Sequence, residues 1–386
     1  MMNPGSEVWI GILGGGQLGR MLALEARRMG FRVLMWTGGD TSGAATLADL
    51  VLTDPFDSAS AFDQFVGRAQ VATVEFENIP SSLLEAVGGH LPLMPCTRAV
   101  STCQHREREK RFLEENGIPC ASFSVVDSAA SLVDGLAALP GDAILKTAEF
   151  GYDGKGQLPI QAGLPAAEIE KLWLDFDSPR AVLEEKIDLA AELSVIVVRG
   201  GDGDLVTFDP AENQHRHHIL DVSIVPARLG QETLERAREI AQNIAVALDY
   251  VGVLGVEFFL CTDGRLLVNE MAPRPHNSGH HTLDACASSQ FEQQLRAISG
   301  MPLGSTRLIE PAVMWNVLGD LWSDPTTPPD WTPVLETPGA KLHLYGKDRA
   351  SKGRKMGHIT FTAPTIDEAL AQAEVCRRAF GYPDIA

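Results

Sequence analysis

The chain has 386 residues, of which 45% are hydrophobic and 22% are charged. This length exceeds one ordinary hydrophobic core, so we expect two or three domains of a globular protein. No apolar run reaches the roughly 20 residues that cross a bilayer. The net charge of −19 disfavours nonspecific binding to nucleic acid or to anionic membranes. We therefore expect neither a nucleic-acid nor a membrane partner.

The six cysteines are scattered and form no C-x-x-C pair. This spacing is typical of reduced thiols rather than of a disulfide framework or a zinc ribbon. The first residues, MMNPGSEV, carry no basic segment of the kind that opens a signal peptide. Together these features predict a cytoplasmic protein.

Residues 1–104 alternate strand-like and helix-like segments, which predicts a Rossmann-like parallel sheet. The stretch VWIGILGGGQLGRM places Gly14, Gly16 and Gly19 at the G-x-G-x-x-G spacing of dinucleotide-binding turns. An NAD-dependent oxidoreductase needs an acidic residue at the end of the second strand to bind ribose hydroxyls. That strand ends VLMWT, and Asp40 follows only after two glycines. The turn therefore predicts anion binding, whereas the missing acid argues against NAD.

The rest of the chain divides into two further predicted units. Residues 105–310 mix strands with long amphipathic helices, and a small α+β lid over about 120–190 precedes a larger part over about 191–310. The proline-rich stretch SDPTTPPDWTPVLETPGA marks a connection. A small β-rich domain over 311–386 closes the chain.

The loop KTAEFGYDGKGQLPI surrounds Lys155 with Gly151, Gly154 and Gly156, between two strand-like runs. Glycines let backbone N–H groups approach an anion closely, and lysine adds a positive charge. No G-K-[S/T] leads into a helix, so the loop resembles a cover over a triphosphate rather than a Walker A loop. Lys146, on the strand before the loop, is placed to meet inner phosphates. The alternative is an ordinary hairpin tip.

The stretch GVEFFLCTDGRLLVNEM predicts a β-hairpin of two apolar strands. If Asp263 and Gly264 are the central residues of a two-residue type I′ turn, Glu257 and Glu270 lie directly opposite each other. Two opposed carboxylates repel and need a cation or a shared proton. Phosphate-binding loops elsewhere in the chain favour Mg²⁺. A turn of another length would break this register.

Other polar clusters have less specific spacing. Glu184, Glu185 and Glu192 lie at strand ends, where carboxylates can bind ribose hydroxyls. Arg274 lies between two prolines, and a rigid loop of this kind suits anion binding. Zinc is an alternative for the histidines, although their spacing matches no common zinc motif; these are His215, His217, His218, His276, His280 and His281. The basic segment KLHLYGKDRASKGRK favours capture of a small phosphate.

Together these stretches resemble the 5-(carboxyamino)imidazole ribonucleotide synthases, a family of ATP-grasp ligases of purine biosynthesis. The resemblance is carried by GILGGGQLGRM, EFENIP, KTAEFGYDGKGQ, ENQHRHHIL, NEMAPRPHNSGHHT and HLYGKDRASKGRKMGH. It implies an ATP-grasp fold between a Rossmann-like domain and a small C-terminal domain. The implied reaction uses ATP, Mg²⁺ and bicarbonate to carboxylate 5-aminoimidazole ribonucleotide through carboxyphosphate. It implies no biotin and no NAD, and a homodimer.

The resemblance also implies site residues. The implied ATP-binding residues are Arg106, Lys146, Gly151, Tyr152, Asp153, Gly154, Lys155, Gly156, Gln157, Glu184, Glu185, Lys186, Ile187, Glu192, His215, Asn269 and Glu270. The implied substrate-binding residues are Gly16, Gln17, Leu18, Glu75, Arg274, His276, Asn277, Lys347 and Arg354. The implied catalytic residues are Tyr152, Lys155, Arg274, His276 and Lys347, and the implied metal ligands are Glu257 and Glu270.

The chain departs from the usual pattern of the family in three places, MWTGGD after the second strand, Ala148-Glu149 before the loop, and Ser351-Lys352 in the tail. These departures concern local phosphate contacts. The alternatives are a related ATP-grasp enzyme (a formate-dependent glycinamide ribonucleotide transformylase or a biotin carboxylase), a non-catalytic nucleotide-binding relative and, last, the NAD-dependent oxidoreductase.

Overall fold

Within residues 1–5, 7–39, 43–149 and 156–386, which the computed structural model describes, the strands form three β-sheets. The first sheet is parallel throughout, in the order β3-β2-β1-β4. Its strands are almost wholly apolar, as expected for a parallel sheet covered on both faces. The elements are β1 (Trp9–Leu13), α1 (Gln17–Arg28), β2 (Arg32–Trp36), β3 (Leu50–Leu52), α2 (Ala59–Val66), β4 (Val71–Val74), α3 (Ser81–Gly88) and α4 (Thr97–Cys103).

The strand order places the glycine turn of α1 beside the end of β4. From β1 the chain continues to β2 on one side, and β4 pairs on the other side of β1. Ligands of open α/β sheets bind at this kind of switch point, outside the carboxyl ends of the strands. The fold therefore brings residues 14–19 and residues 75–78 to one edge.

The second sheet is antiparallel, in the order β5-β8-β6-β7, and forms a small lid with two helices packed against it. Its core consists of aliphatic side chains such as Leu132, Leu145 and Leu183. The elements of this part are α5 (Arg106–Glu115), β5 (Phe123–Val126), α6 (Ala129–Ala138), β6 (Ala143–Thr147), β7 (Gln157–Ile160), α7 (Ala166–Phe176) and β8 (Ala181–Glu185).

The third sheet has nine strands, in the order β14-β13-β9-β11-β12-β15-β17-β16, with β10 paired to β9. Its elements are β9 (Leu189–Arg199), β10 (Leu205–Thr207), β11 (Ala211–Arg216), β12 (Ile219–Val225), α8 (Gln231–Ala247), β13 (Gly252–Cys261), β14 (Leu266–Ala272), α9 (Thr282–Ala285), α10 (Gln290–Ile298), β15 (Ala312–Leu318), α11 (Thr332–Leu335), β16 (Ala340–Leu344), β17 (Lys355–Thr362) and α12 (Ile366–Ala379). Short 3₁₀ turns cover Ala45–Leu47, Asn277–Gly279 and Gly319–Leu321.

The C-terminal strands extend this third sheet instead of forming a separate one. β15 pairs antiparallel with β12, so the sheet runs across the predicted boundary at 310/311. The three-domain division stays a prediction. Helix α10 joins the third sheet to the first, because Gln294 accepts from the backbone N–H of Val253 and donates to Thr73 on β4. No helix in the described ranges combines the length and the apolar character that a bilayer crossing needs.

The hairpin of β13 and β14 has the predicted pairing of glutamates but not the predicted turn. The loop has three residues, Thr262, Asp263 and Gly264, with Gly264 in the left-handed region at φ +87°. Near the turn the pairing is therefore one residue away from the predicted register, and Leu260 faces Leu266. A β-bulge at Asn269 then shifts the register back, so that Glu257 faces Glu270. The two-residue turn was wrong, whereas the opposed carboxylates are confirmed.

Candidate active site

One cavity of about 680 Å³ lies where the three sheets meet. Of the predicted site residues, those that line it are Gly16, Gln17, Leu18, Glu75, Arg106, Lys146, Gln157, Glu184, Glu185, Lys186, Ile187, Glu192, His215, Glu257, Asn269, Glu270, Arg274, His276 and Asn277. Residues more than 250 positions apart thus share one wall. The cavity is of the size that holds a small-molecule ligand.

Three described residues of the predicted set lie outside this lining: Gly156, Lys347 and Arg354. Lys347 is close to the wall, because its Nζ donates to Gln17 Oε1 at 2.9 Å. Arg354 donates to the backbone carbonyl of Arg349 at 2.7 Å. The predicted residues Gly151, Tyr152, Asp153, Gly154 and Lys155 fall outside the described residues.

The glycine turn before α1 is bound by a carboxylate of the chain itself. Glu75, directly after β4, accepts from the N–H of Gly16 and from the N–H of Gly19, each at 2.7 Å. Gly14 has φ +116°, and a Cβ there would lie 2.2 Å from Glu75 Cγ. The donors at which a pyrophosphate would bind are therefore already bonded, and the carboxylate also offsets the positive end of the helix.

Arg274 is held by a carboxylate that the sequence analysis did not assign. Its Nε donates to Glu77 Oε2, and its Nη2 donates to Glu77 Oε1 at 3.2 Å. Burial raises the pKa of Glu77, but the Arg274 guanidinium more than offsets this and holds that pKa at about 2. The two-bond geometry fixes the guanidinium plane at the cavity wall.

His276 is oriented by a chain of buried hydroxyl and amide groups. Ser223 donates to Asn213, Asn213 to Ser194, and Ser194 to Ser278, over 2.6–2.9 Å. Ser278 Oγ lies 2.9 Å from His276 Nδ1, and the Ser278 N–H also points at that nitrogen. These donors make Nδ1 an acceptor and leave the proton on Nε2.

The Nε2–H of His276 faces one of the paired glutamates. His276 Nε2 lies 2.9 Å from Glu257 Oε1. Burial raises the pKa of Glu257, while the His276 hydrogen bond lowers it, with a net value of about 2. The opposing carboxylate differs, because no hydrogen bond or ion pair from any described residue reaches Glu270. Burial and the Glu257 charge raise the pKa of Glu270.

Another buried carboxylate, Glu184 on β8, is contacted by two lysines. Lys146 Nζ on β6 and Lys110 Nζ on α5 lie 3.0 and 3.2 Å from the same oxygen, Glu184 Oε2. Burial raises the pKa of Glu184, but the two ammonium groups bring it down to about 2. Its other oxygen, Oε1, is buried and has no hydrogen-bond partner among the described residues. An unsatisfied buried acceptor in a cavity wall is a natural contact for a donor on a ligand.

Glu192 and His215 lie together on adjacent strands, β9 and β11. His215 Nδ1 is 2.9 Å from Glu192 Oε2. Burial lowers the pKa of His215, but the hydrogen bond to Glu192 and the charges of Glu257, Glu192 and Glu270 together raise it above its ordinary value. The predicted ribose and nucleotide contacts thus lie beside each other in the cavity wall.

Sequence reasoning did not assign Glu77, Glu109, Lys110 or Lys355 to the site, and it considered His280 only as a candidate zinc ligand; these residues line the cavity or hold residues that do. Glu109 and Lys110 could have been found from the sequence. They follow Arg106 by three and four positions in a helix and so share its face, which means that a helix with Arg106 at the cavity also directs Glu109 and Lys110 to that side. Burial raises the pKa of Glu109 to about 8 despite the adjacent Lys110.

A cluster of Asp284, His343 and His358 lies near the cavity, with candidate ligand atoms within 4.8 Å of one another. His343 Nε2 is 2.8 Å from Asp284 Oδ2. The two imidazoles stack, with ring centroids 4.4 Å apart and planes 8° apart. Imidazole nitrogens bind a metal in the ring plane, so stacked rings direct their lone pairs in parallel instead of toward one ion. The cluster favours a hydrogen-bonded stack over a metal centre.

Comparison with known proteins matches three family models in succession. The ribonucleotide synthetase preATP-grasp domain covers residues 8–104, the ATP-grasp domain covers 111–291, and the phosphoribosylaminoimidazole carboxylase C-terminal domain covers 312–372. The N5-carboxyaminoimidazole ribonucleotide synthase of Brucella melitensis is 42% identical over 363 residues, which are 94% of this chain and 98% of that protein. The chain belongs to the N5-carboxyaminoimidazole ribonucleotide synthase family.

Solved structures of this family agree. An ADP complex of an N5-carboxyaminoimidazole ribonucleotide synthetase superposes with a TM-score of 0.89 at 38% identity, over 98% of this chain and 97% of that one. The Aspergillus clavatus synthase in complex with ADP and 5-aminoimidazole ribonucleotide gives 0.86 at 31% identity, over 97% and 99%. The predicted resemblance and fold class are confirmed: the chain is an ATP-grasp ligase with a parallel-sheet preATP-grasp domain and a C-terminal domain.

Proposed function

We propose that the enzyme carboxylates the exocyclic amine of 5-aminoimidazole ribonucleotide in purine biosynthesis, using ATP and bicarbonate. ATP phosphorylates bicarbonate to carboxyphosphate and leaves as ADP. Carboxyphosphate breaks down to CO₂ and phosphate, and the amine takes up CO₂ and loses a proton to give the carbamate. The observation that carries this proposal is that one cavity joins Gly16, Gln17 and Leu18, beside the parallel sheet, to Lys146, Glu184 and Glu270.

The nucleotide part of the cavity supports ATP as the phosphoryl donor. Lys146 and Arg106 supply positive charge in the cavity wall, and residues 185–187 at the end of β8 line the same cavity, where a base can bind. Lys146 is fixed by Glu184, so its ammonium is positioned before the nucleotide arrives. The unpartnered Glu184 Oε1 offers an acceptor for an exocyclic amine or a hydroxyl.

Glu257 and Glu270 fit a divalent cation. They lie opposite each other on adjacent strands, and Glu270, which is half-buried, has no hydrogen-bond or ion-pair partner among the described residues. Hard cations such as Mg²⁺ take carboxylate oxygens together with phosphate oxygens. When bound, the ion would neutralise charge on the β- and γ-phosphates during phosphoryl transfer. His276 holds Glu257 in one orientation, which leaves the pair open on its Glu270 side.

Arg274 and His276 suit the small anion of the reaction. The guanidinium is fixed by Glu77, and it presents a permanent positive charge to bicarbonate and to the developing carboxyphosphate. His276 also lines the cavity, and its Nε2 proton is donated to Glu257 Oε1, so that nitrogen can donate but not accept. Tyr152, Lys155 and Lys347 remain proposed catalytic residues on the strength of the family resemblance.

The test is ADP release by the purified enzyme with ATP, Mg²⁺ and bicarbonate, with and without 5-aminoimidazole ribonucleotide. We expect release that depends on the ribonucleotide and on Mg²⁺. If the ribonucleotide gives no stimulation, the assignment is wrong. Stimulation by formate with glycinamide ribonucleotide, or by biotin, would instead support the related ATP-grasp activities.

The homodimer and the cytoplasmic location are proposals that rest on the family resemblance. The six cysteines, all in the described part of the chain, are unpaired, as expected for a reducing compartment. Light scattering coupled to size exclusion should give twice the 41.6 kDa of one chain. A monomer mass at micromolar concentration would contradict the dimer.

A further inference from the structure

Glu270 lies on the edge strand of the nine-stranded sheet. β14 pairs with β13 on one side only, so its outer backbone groups need partners other than a strand. On its inner side the ladder is interrupted as well, because the bulge at Asn269 shifts the register directly beside Glu270. The proposed metal ligand is thus carried by a segment with a locally weak backbone ladder.

Helix α5 covers that edge with two adjacent side chains. Glu109 Oε1 accepts from the backbone N–H of Met271 at 2.6 Å, and Lys110 Nζ donates to the backbone carbonyl of Asn269 at 3.2 Å. The two bonds therefore hold the residue on either side of Glu270. Both side chains are buried, with 3% of Glu109 and 0% of Lys110 exposed.

The same lysine extends this contact to the lid. Lys110 Nζ also lies 3.2 Å from Glu184 Oε2, and Lys146 shares that oxygen. One buried ammonium therefore joins β14, which carries Glu270, to β8, which leads into the proposed base-binding residues. Charge-assisted hydrogen bonds of this kind are the strong ones in a dry site.

We propose that Glu109 and Lys110 are positioning residues that hold the backbone on both sides of Glu270, so that its carboxylate meets the divalent cation of the bound nucleotide. The inference rests on the proposed metal site and deepens it. Neither side chain needs to touch the ion or the nucleotide, since they act through the backbone of residues 269 and 271. Groups that orient metal ligands typically change metal affinity by about 10- to 100-fold when removed.

The test compares variants that keep or remove the acceptor. Glu109→Ala removes the oxygen that binds the Met271 N–H, Glu109→Gln keeps a carbonyl oxygen in its place, and Glu114→Ala changes an exposed acid on the same helix. ADP affinity is measured by calorimetry at zero and at saturating Mg²⁺. The quantity compared is the gain in ADP affinity that Mg²⁺ produces.

We expect Glu109→Ala to lower that Mg²⁺-dependent gain by about tenfold or more, with ADP affinity in the absence of Mg²⁺ within about twofold of the wild type. Glu109→Gln and Glu114→Ala should match the wild type in both measurements. An unchanged gain in Glu109→Ala would overturn the proposal, as would equal losses in Ala and Gln or an equal loss without Mg²⁺.

If Glu109→Ala does not fold, as judged by circular dichroism, Lys110→Met and Glu109→Gln carry the test. Lys110→Met should lose the Mg²⁺-dependent gain, and Glu109→Gln should keep it; the reverse result would overturn the proposal. The proposed function fails separately, when the wild type binds Mg²⁺ and ADP but releases no ADP in response to the ribonucleotide. A wild type without any Mg²⁺ effect on ADP affinity contradicts both.

Discussion

Glu75 and Glu270 are two carboxylates that line the same cavity, and they differ in what surrounds them. Glu75 accepts from two backbone N–H groups at the start of α1. Glu270 has no described hydrogen-bond or ion-pair partner and faces a second carboxylate across the hairpin. The first carboxylate is satisfied by the fold, whereas the second is left without a partner among the described residues.

This difference shows which kind of pattern identifies a ligand site. Glycine spacing correctly located a cluster of backbone donors, but it could not reveal that Glu75, which is 59 and 56 positions from Gly16 and Gly19, already binds them. Opposed glutamates in an apolar hairpin predicted two carboxylates that repel each other. In the fold they do face each other, and Glu270 has no hydrogen-bond or ion-pair partner among the described residues. A polar group that the chain itself leaves unsatisfied is therefore the stronger indication of a ligand.

The largest effect is expected for Glu270→Gln. The amide keeps the shape of the side chain but removes the negative charge of a proposed metal ligand. The metal ion that this ligand would hold stabilises the transition state of phosphoryl transfer by several kcal/mol. We expect kcat to fall about 100- to 1000-fold at saturating Mg²⁺, with the thermal unfolding midpoint unchanged or raised because a repulsive pair is removed. ADP release and calorimetric unfolding measure the two. Near-normal turnover would show that Glu270 is not a metal ligand.

Glu75→Ala should mainly lower the stability of the fold. It leaves the N–H groups of Gly16 and Gly19 without their acceptor, and each hydrogen bond to a charged group is worth about 1.5–3 kcal/mol. We expect the free energy of unfolding in urea to fall by about 3–5 kcal/mol. Glu75→Gln keeps one acceptor oxygen, so it should lose about half as much. A loss below about 1 kcal/mol in both variants would contradict the capping role.

The pair of Glu77 and Arg274 should give a measurable pH dependence. The pKa of Glu77 is about 2 in the folded protein and about 4.3 in an unfolded chain. A lowered folded pKa gives stability that is complete above about pH 4.3 and is lost as the pH falls toward 2. Both side chains are partly exposed, 28% for Glu77 and 18% for Arg274.

Comparing wild type with Glu77→Gln isolates this contribution from other carboxylates. Between pH 6 and pH 3 the wild type should lose about 1–2 kcal/mol more unfolding free energy than the variant, as measured by urea unfolding at each pH. Identical slopes would mean that the ion pair does not stabilise the fold.

The sequence was most informative where chemistry and periodicity coincide. The opposed glutamates were predicted correctly although the turn was not, because the bulge at Asn269 compensates for the extra loop residue. Nothing in the residues NEM marks that bulge. The parallel sheet, the lid and the shared cavity residues followed from strand patterns and the family resemblance together.

Sequence reasoning missed the residues that orient the site residues through hydrogen bonds. Glu77 belongs to the quoted stretch EFENIP, but its bond to Arg274 joins positions 197 apart. Ser194, Asn213 and Ser223 are ordinary polar residues on apolar strands, and only the antiparallel order of β9, β11 and β12 aligns them behind His276. Such partners depend on the register between distant segments, which local patterns do not contain.

The smallest effect is expected in the basic tail, at Arg354. Its guanidinium bonds to the Arg349 carbonyl and lies outside the cavity lining, whereas Lys355 lines it. A half-buried cation outside the cavity lining still attracts a ribonucleotide phosphate, by less than about 1 kcal/mol. Arg354→Ala should therefore raise the KM for the ribonucleotide by about two- to fivefold and leave the KM for ATP unchanged, with a weaker effect at high salt. Equal changes in both KM values would mean that this segment supports the fold, and a change far above tenfold would place Arg354 in direct contact with the phosphate.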